Sequence, residues 1–104
     1  IKIAKEPTKF GFGLKEATQF FNSDLQEKYP NINIAGIMGM ASFTENQNQI
    51  EEEFRLIARL HKTLPKKQSI LSIGMSRDYK LAIRLGSNMI RIGSKIFKHY
   101  SLDK

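Results

Sequence analysis

Short apolar runs alternate with longer stretches of helical spacing along this 104-residue chain, and the alternation occurs four times. The runs are Ile1 to Ala4, Asn31 to Met40, Ser69 to Met75 and Met89 to Gly93. They are nearly continuous rather than alternating with polar residues, which is the pattern of strands buried on both faces. Consecutive parallel strands need a long connection that packs back onto the sheet. The order βαβαβαβα therefore predicts a parallel sheet with right-handed crossovers, either open and doubly wound or closed as a barrel.

The intervening stretches carry helix signals of differing strength. From about Gly13 to Lys28, Leu14, Ala17, Phe21 and Leu25 keep helical spacing with Phe20 at the flank, which predicts one amphipathic helix. The next helix is the clearest. Thr44 and Gln47 have the spacing of a capping box, Glu51, Glu52 and Glu53 sit near its positive end as a solvated first turn, and Arg59, His61 and Lys62 sit near its negative end. Ile50, Phe54, Ile57, Leu60 and Leu64 form its inward stripe, and Pro65 closes it. Ser76 is placed to cap a third helix over Tyr79 to Leu85, with Asp78 in its first turn and Gly86 at its left-handed end. A tail helix is expected from Ser94 to Tyr100, and Glu6 to Phe12 reads as a loop.

Composition removes several classes. There is no cysteine, hence no disulfide framework, thiolate metal site or cysteine nucleophile. Seventeen basic against ten acidic residues give +7, but the positive charges are scattered. The densest cluster, Lys62, Lys66 and Lys67, lies at a helix end where the dipole and solubility account for it, so nucleic-acid binding is not expected. The longest apolar-rich run, Ile32 to Phe43, is too short and too rich in glycine to span a bilayer. No secretory segment follows the start, so a cytoplasmic location is the expectation.

A length of 104 residues allows one domain at most. Strand starts recur about every thirty residues, one eighth of a barrel of roughly 250 residues. The chain also opens at Ile1 inside a strand-like run and without an initiator methionine. Residues 1–104 are accordingly expected to be half of a single barrel domain.

In both kinds of α/β fold, ligands bind at the carboxyl ends of the strands. Four turns qualify, and two stand out. Gly74-Met75-Ser76 brings a small residue and a helix-start hydroxyl to the end of the third run, and Arg91-Ile92-Gly93-Ser94 repeats the theme one strand later. Amides at a helix start favour phosphate, so the neighbouring turns form a candidate anion cup. Each motif alone is equally at home as a cap or a turn. Arg91 is different: it sits among Met89, Ile90 and Ile92, where a guanidinium needs a partner or a cavity. Met38, Met40 and Met75 cluster at strand ends, as core filler or as a wall for a flat ring. His61 and His99 have no second ligand near them in sequence, and neither a catalytic triad order nor a close carboxylate pair is visible.

Leu71-Ser72-Ile73-Gly74-Met75-Ser76-Arg77-Asp78-Tyr79, then Ala82-Ile83, Gly86-Ser87 and Ile90-Arg91-Ile92-Gly93-Ser94-Lys95-Ile96-Phe97, resemble the YggS/PROSC family of pyridoxal phosphate homeostasis proteins. Glu6-Pro7-Thr8-Lys9-Phe10-Gly11-Phe12 and Gly36-Ile37-Met38-Gly39-Met40-Ala41 resemble its two preceding strand-end motifs, in the same order. The resemblance implies an α/β fold in which four parallel βα units form the second half of a (β/α)8 TIM-type barrel, like the N-terminal domain of alanine racemase.

It also implies bound pyridoxal 5′-phosphate. By the resemblance, Ser76 and the backbone of Ile92 and Gly93 hold the cofactor phosphate, Arg91 lies beside the pyridine ring and Met75 joins the site. An arginine there disfavours protonation of the ring nitrogen and weakens the ring as an electron sink, which suits a carrier better than a racemase. The chain departs from the family at Lys98, where glycine is usual. The family's aldehyde-binding lysine lies on an earlier strand, and no lysine here, Lys9 included, matches it. The expectation is a non-catalytic pyridoxal phosphate carrier or regulator, with this chain contributing the phosphate end. The alternatives are a pyridoxal-phosphate-dependent racemase or another phosphate-substrate barrel enzyme, and, further off, a basic nucleic-acid-binding module. Expected partners are the cofactor and either the remaining half-barrel or a second copy paired through open sheet edges.

Overall fold

The computed structural model describes residues 1–5, 11–23, 25–93 and 96. In chain order the elements are α1 (Leu14–Phe21), α2 (Leu25–Lys28), β1 (Gly36–Met38), α3 (Gln47–Thr63), a 3-10 turn (Lys66–Gln68), β2 (Ile70–Ser72) and α4 (Tyr79–Arg84). β1 and β2 are parallel, with Gly36, Ile37 and Met38 opposite Ile70, Leu71 and Ser72. The α/β class is as expected. Two of the four expected strands are reduced to single parallel bridges, Lys2 with Met40 and Ser72 with Met89. Each of these outer segments has a neighbour on one side only, and parallel pairing is the weaker kind per residue. The spatial order is still the sequence order: the first segment, β1, β2, the last segment.

The expected strand from Asn31 to Met40 is shorter at its start, and Ile32 is exposed. β2 sets this limit. The Ile70 amide donates to the Ala35 carbonyl at 3.0 Å and the Gln68 side chain to the Ile34 carbonyl at 2.9 Å, so pairing begins there. At Gly36 the strands approach so closely that a Cβ would overlap the Ile70 carbonyl. Only glycine fits.

Ile3, Ile37, Leu71 and Ile73 face one way and are buried against Ile50, Phe54, Ile57 and Leu60 of α3, with Ala17 of α1 and Ala82 of α4 completing the core. The face carrying Met38 and Met89 is left open, and both methionines are nearly half exposed. The inward stripe of α3 is thus the predicted one, and Pro65 ends the helix by holding Leu64 extended at ψ 153°. α4 ends as predicted at Gly86 (φ +113°). The Ser87 and Gly86 amides donate to the Ala82 and Ile83 carbonyls at 3.0 and 3.2 Å, a Schellman closure.

Three local expectations are corrected. The single helix over 13–28 breaks after Phe21, where the Ser23 hydroxyl donates to the Phe20 carbonyl at 2.6 Å and competes with helix continuation. α3 is capped by Asn46 rather than Thr44. Asn46 Oδ1 accepts the Asn48 and Gln49 amides at 3.1 and 3.3 Å, while Thr44 Oγ1 accepts the Asn46 amide at 3.1 Å. The cap therefore lies two residues later, and Glu51 to Glu53 fall beyond the first turn. The expected loop at 6–12 is described only at Gly11 and Phe12, and the expected tail helix over 94–100 lies outside the described residues except at Ile96.

Candidate functional site

Three strand ends meet at Arg91. The Gly39 amide donates to the Ser72 carbonyl at 3.1 Å, and the Arg91 amide donates to the Gly74 carbonyl at 2.9 Å. The Arg91 side chain then reaches past β2, and its Nη2 donates to the Gly39 carbonyl at 3.1 Å. The guanidinium thus finds its partner in the backbone at the end of β1. Arg91 Nε is buried and makes no hydrogen bond among the described residues. Such a donor is uncommon and marks a place where a ligand acceptor would be favoured.

The turn after β2 differs from the sequence reading. Gly74 ends the strand at φ +107°. Ser76 is not the helix cap: α4 starts at Tyr79 behind Asp78, and Ser76 lies in the preceding turn, half-buried. The reason is local. Asp78 Oδ1 accepts the Met75 amide at 2.8 Å, and the Met75 carbonyl accepts the Asp78 and Tyr79 amides at 3.1 and 2.9 Å. An Asp three residues after the amide closes the turn on itself and delays the helix. The amides of Met75, Asp78 and Tyr79, expected to be open to an anion, are engaged within the turn. Met75 itself is exposed.

Beyond Arg91, Ile92 and Gly93 are half-buried. A Cβ built on Gly93 meets nothing within 4 Å, so a ligand could approach the backbone there closely. The Ile96 amide donates to the Gly93 carbonyl at 3.0 Å. Ser94, Lys95 and His99 lie outside the described residues. His61 is half-buried and its Nε2 lies 3.0 Å from the Ser69 carbonyl, a packing role at the junction of α3 and β2. No group of three or more His, Cys, Asp or Glu suited to a metal ion occurs among the described residues.

The sequence reading missed a buried carboxylate under the mouth. Glu53, 2% exposed, accepts the Ser42 amide at 2.6 Å, the Ser42 hydroxyl at 2.7 Å and Gln49 Nε2 at 3.1 Å. Ser42 Oγ in turn accepts the Lys5 amide at 2.8 Å. One carboxylate therefore ties the loop after β1 to the end of the first segment. The available signal was its position: three residues after Ile50 and four before Ile57, Glu53 lies on the inward stripe.

No family model matches the chain. It is 35% identical over 98 residues to the pyridoxal phosphate homeostasis protein of Helicobacter pylori (strain ATCC 700392 / 26695), covering 94% of this chain and 43% of that protein. It is 34% identical over 111 residues to the protein of the same name from Homo sapiens, covering 100% and 40%, respectively. The chain belongs to the pyridoxal phosphate homeostasis protein family. A member from Aquifex aeolicus is 29% identical over 101 residues, covering 93% of this chain and 43% of its own. Among solved structures, the crystal structure of an unknown protein from Bifidobacterium adolescentis superposes with a TM-score of 0.72 at 23% identity, covering 93% of this chain and 40% of that one. That likeness concerns the fold alone. The chain spans about two fifths of the length of the pyridoxal phosphate homeostasis proteins it matches.

Proposed function

We propose that this chain supplies the phosphate-holding end of a pyridoxal 5′-phosphate site, as the C-terminal half of a (β/α)8 barrel, in a cytosolic protein that holds and releases the cofactor without transforming a substrate. The parallel order of its four segments, with helices packed on one face and the other face open, suits half of a closed barrel. The remaining half of the barrel is the natural cover for the open face and edges. The shared name of relatives matching nearly the whole chain supports the cofactor.

The residues present fit the group. Arg91 Nε is a buried donor without a partner among the described residues, and the backbone at Gly93 faces open space. The Ser76 hydroxyl and the backbone of Ile92 and Gly93 would hold the phosphate, and Met75 would give the ring an apolar edge. When bound, the cofactor supplies an aldehyde and an electron-withdrawing ring. Arg91, fixed by the Gly39 carbonyl, would keep a positive charge beside that ring and oppose protonation of its nitrogen, which favours holding the cofactor over using it. The Asp78 carboxylate on the Met75 amide keeps an anion off that amide. The phosphate would therefore rest on Ser76 and the 92–93 backbone rather than on the Met75 amide.

The observation that carries this reading is the meeting of three strand ends at one arginine. Titration with pyridoxal 5′-phosphate, followed by absorbance, tests it on the wild-type protein and Ser76→Ala. Saturable binding that weakens about tenfold in the variant, the size expected for one charge-assisted hydrogen bond, supports the reading. Equal binding by both proteins, or none by either, contradicts it.

A further inference from the structure

A cleft of about 380 Å³ lies between the loop after β1 and the turn after β2. It falls at the small end of the range typical of ligand sites, about 300–1,000 Å³. Met40, Ile50 and Met75 give it apolar walls, and Phe43, Arg77, Glu45 and Asp78 line it as well. Phe43 is 79% exposed, a large apolar area to leave in water. The Arg77 guanidinium lies 4.2 Å from the centroid of the Phe43 ring. The contact joins the two loops across the cleft. A guanidinium stacked on a ring keeps its in-plane N–H edge available while its orientation is fixed, the arrangement that suits bidentate binding of a carboxylate. Among the described residues the one ion pair is Arg55 with Glu51, so no carboxylate there is paired with Arg77. One oxygen of Asp78 is held on the Met75 amide.

We propose that this cleft binds a small organic carboxylate with an apolar body. The carboxylate would lie on the edge of Arg77, and the body would lie against Phe43 and the Met40, Ile50 and Met75 wall. Two sources share that chemistry: an apolar amino acid and its 2-oxo acid. Glu45 and Asp78 at the rim would favour the amino acid by receiving its ammonium group. Because Met75 and Ser76 also line the cleft, it adjoins the proposed cofactor site, yet its occupant needs only residues of the cleft. The inference goes beyond the cofactor reading and does not depend on it.

The test is saturation-transfer NMR and calorimetric titration of the protein with L-leucine, 4-methyl-2-oxopentanoate and 3-methylbutan-1-amine, which lacks the carboxylate. The same titrations are run on Arg77→Gln and Phe43→Ala, with circular dichroism to confirm folding and pyridoxal phosphate binding measured separately by absorbance. The proposal expects one or both carboxylates to bind and the amine not to. Arg77→Gln should weaken binding about tenfold or more. Leucine binding more tightly than the oxo acid assigns the rim carboxylates a part, and the reverse order leaves the site to Arg77 and the walls; both support a carboxylate site. Binding of the amine as tightly as the carboxylates, unchanged affinity in folded Arg77→Gln, or no binding of either carboxylate at millimolar concentration would overturn it. Carboxylate binding in a protein that takes up no pyridoxal phosphate would refute the cofactor reading and leave this one standing.

Discussion

The Glu53 carboxylate grips Ser42 through both its amide, at 2.6 Å, and its hydroxyl, at 2.7 Å, in the interior of the protein. Through Ser42 Oγ the grip extends to the Lys5 amide, so two strand ends depend on one side chain of α3. Glu53→Ala strands the buried Ser42 amide without an acceptor and should cost about 2–4 kcal/mol of stability. Ser42→Ala removes only the hydroxyl and should cost about 1–2 kcal/mol. Chemical denaturation of both variants and of the double variant checks this. The double variant should lose less than the sum of the two, because the residues share one network.

Two glycines at strand ends should respond in opposite ways to the same substitution. A Cβ at Gly36 would overlap the Ile70 carbonyl, whereas a Cβ at Gly93 meets nothing within 4 Å. Gly36→Ala should therefore destabilise the β1–β2 pairing by about 3 kcal/mol or more, as overpacking against backbone does. Gly93→Ala should leave stability within about 0.5 kcal/mol, while obstructing the close approach of a cofactor phosphate. Thermal melts and pyridoxal phosphate titration, done on both variants, separate the two roles.

Asn88 stands in for a strand along the outer edge of β2. Its Oδ1 accepts the Leu71 amide at 2.8 Å, its Nδ2 donates to the Ser69 carbonyl at 2.8 Å, and its own amide donates to the Leu71 carbonyl at 3.1 Å. Asn88→Ala should cost about 1–3 kcal/mol through the unpaired Leu71 amide. Asn88→Asp keeps the acceptor and loses the donor, and should fall between. Denaturant midpoints at neutral pH give the order.

The sequence made some of these features visible and hid others for physical reasons. The inward stripe of α3, its stop at Pro65 and the closure of α4 at Gly86 were legible because each depends on residues within one or two turns of each other. The cap at Asn46 was hidden by a competing Thr44 two residues earlier, and the split after Phe21 by an apolar spacing that runs on through Leu25. The strands shrank for a different reason: pairing at Ile34 to Ala35 is set by residues 68–70, more than thirty positions away. At the site, Arg91 was legible as a charge out of place in an apolar run. The Asp78 side chain on the Met75 amide was not, because an aspartate near a helix start reads equally as a first-turn charge. Glu53 was overlooked because three consecutive glutamates read as a solvated cluster, although only one of them lies on the buried stripe.

Arg91 joins the fold to the proposed site, and its variants should divide accordingly. Arg91→Lys lacks the planar fork that spans β2 to the Gly39 carbonyl. It should lose about 1–2 kcal/mol of stability with one charge-assisted hydrogen bond and bind pyridoxal phosphate more weakly. Arg91→Ala should lose more of both. Stability from denaturation and affinity from absorbance titration, measured on each protein, check the pairing.

The central claim is that this chain holds the phosphate of pyridoxal phosphate. The most direct measurement compares pyridoxal 5′-phosphate with pyridoxal, which has the ring and aldehyde but no phosphate, in titrations of the same protein. The account predicts that the phosphorylated form binds about tenfold or more tightly, and that the difference shrinks in Ser76→Ala. Equal affinity for the two forms, unaltered by that substitution, would contradict it.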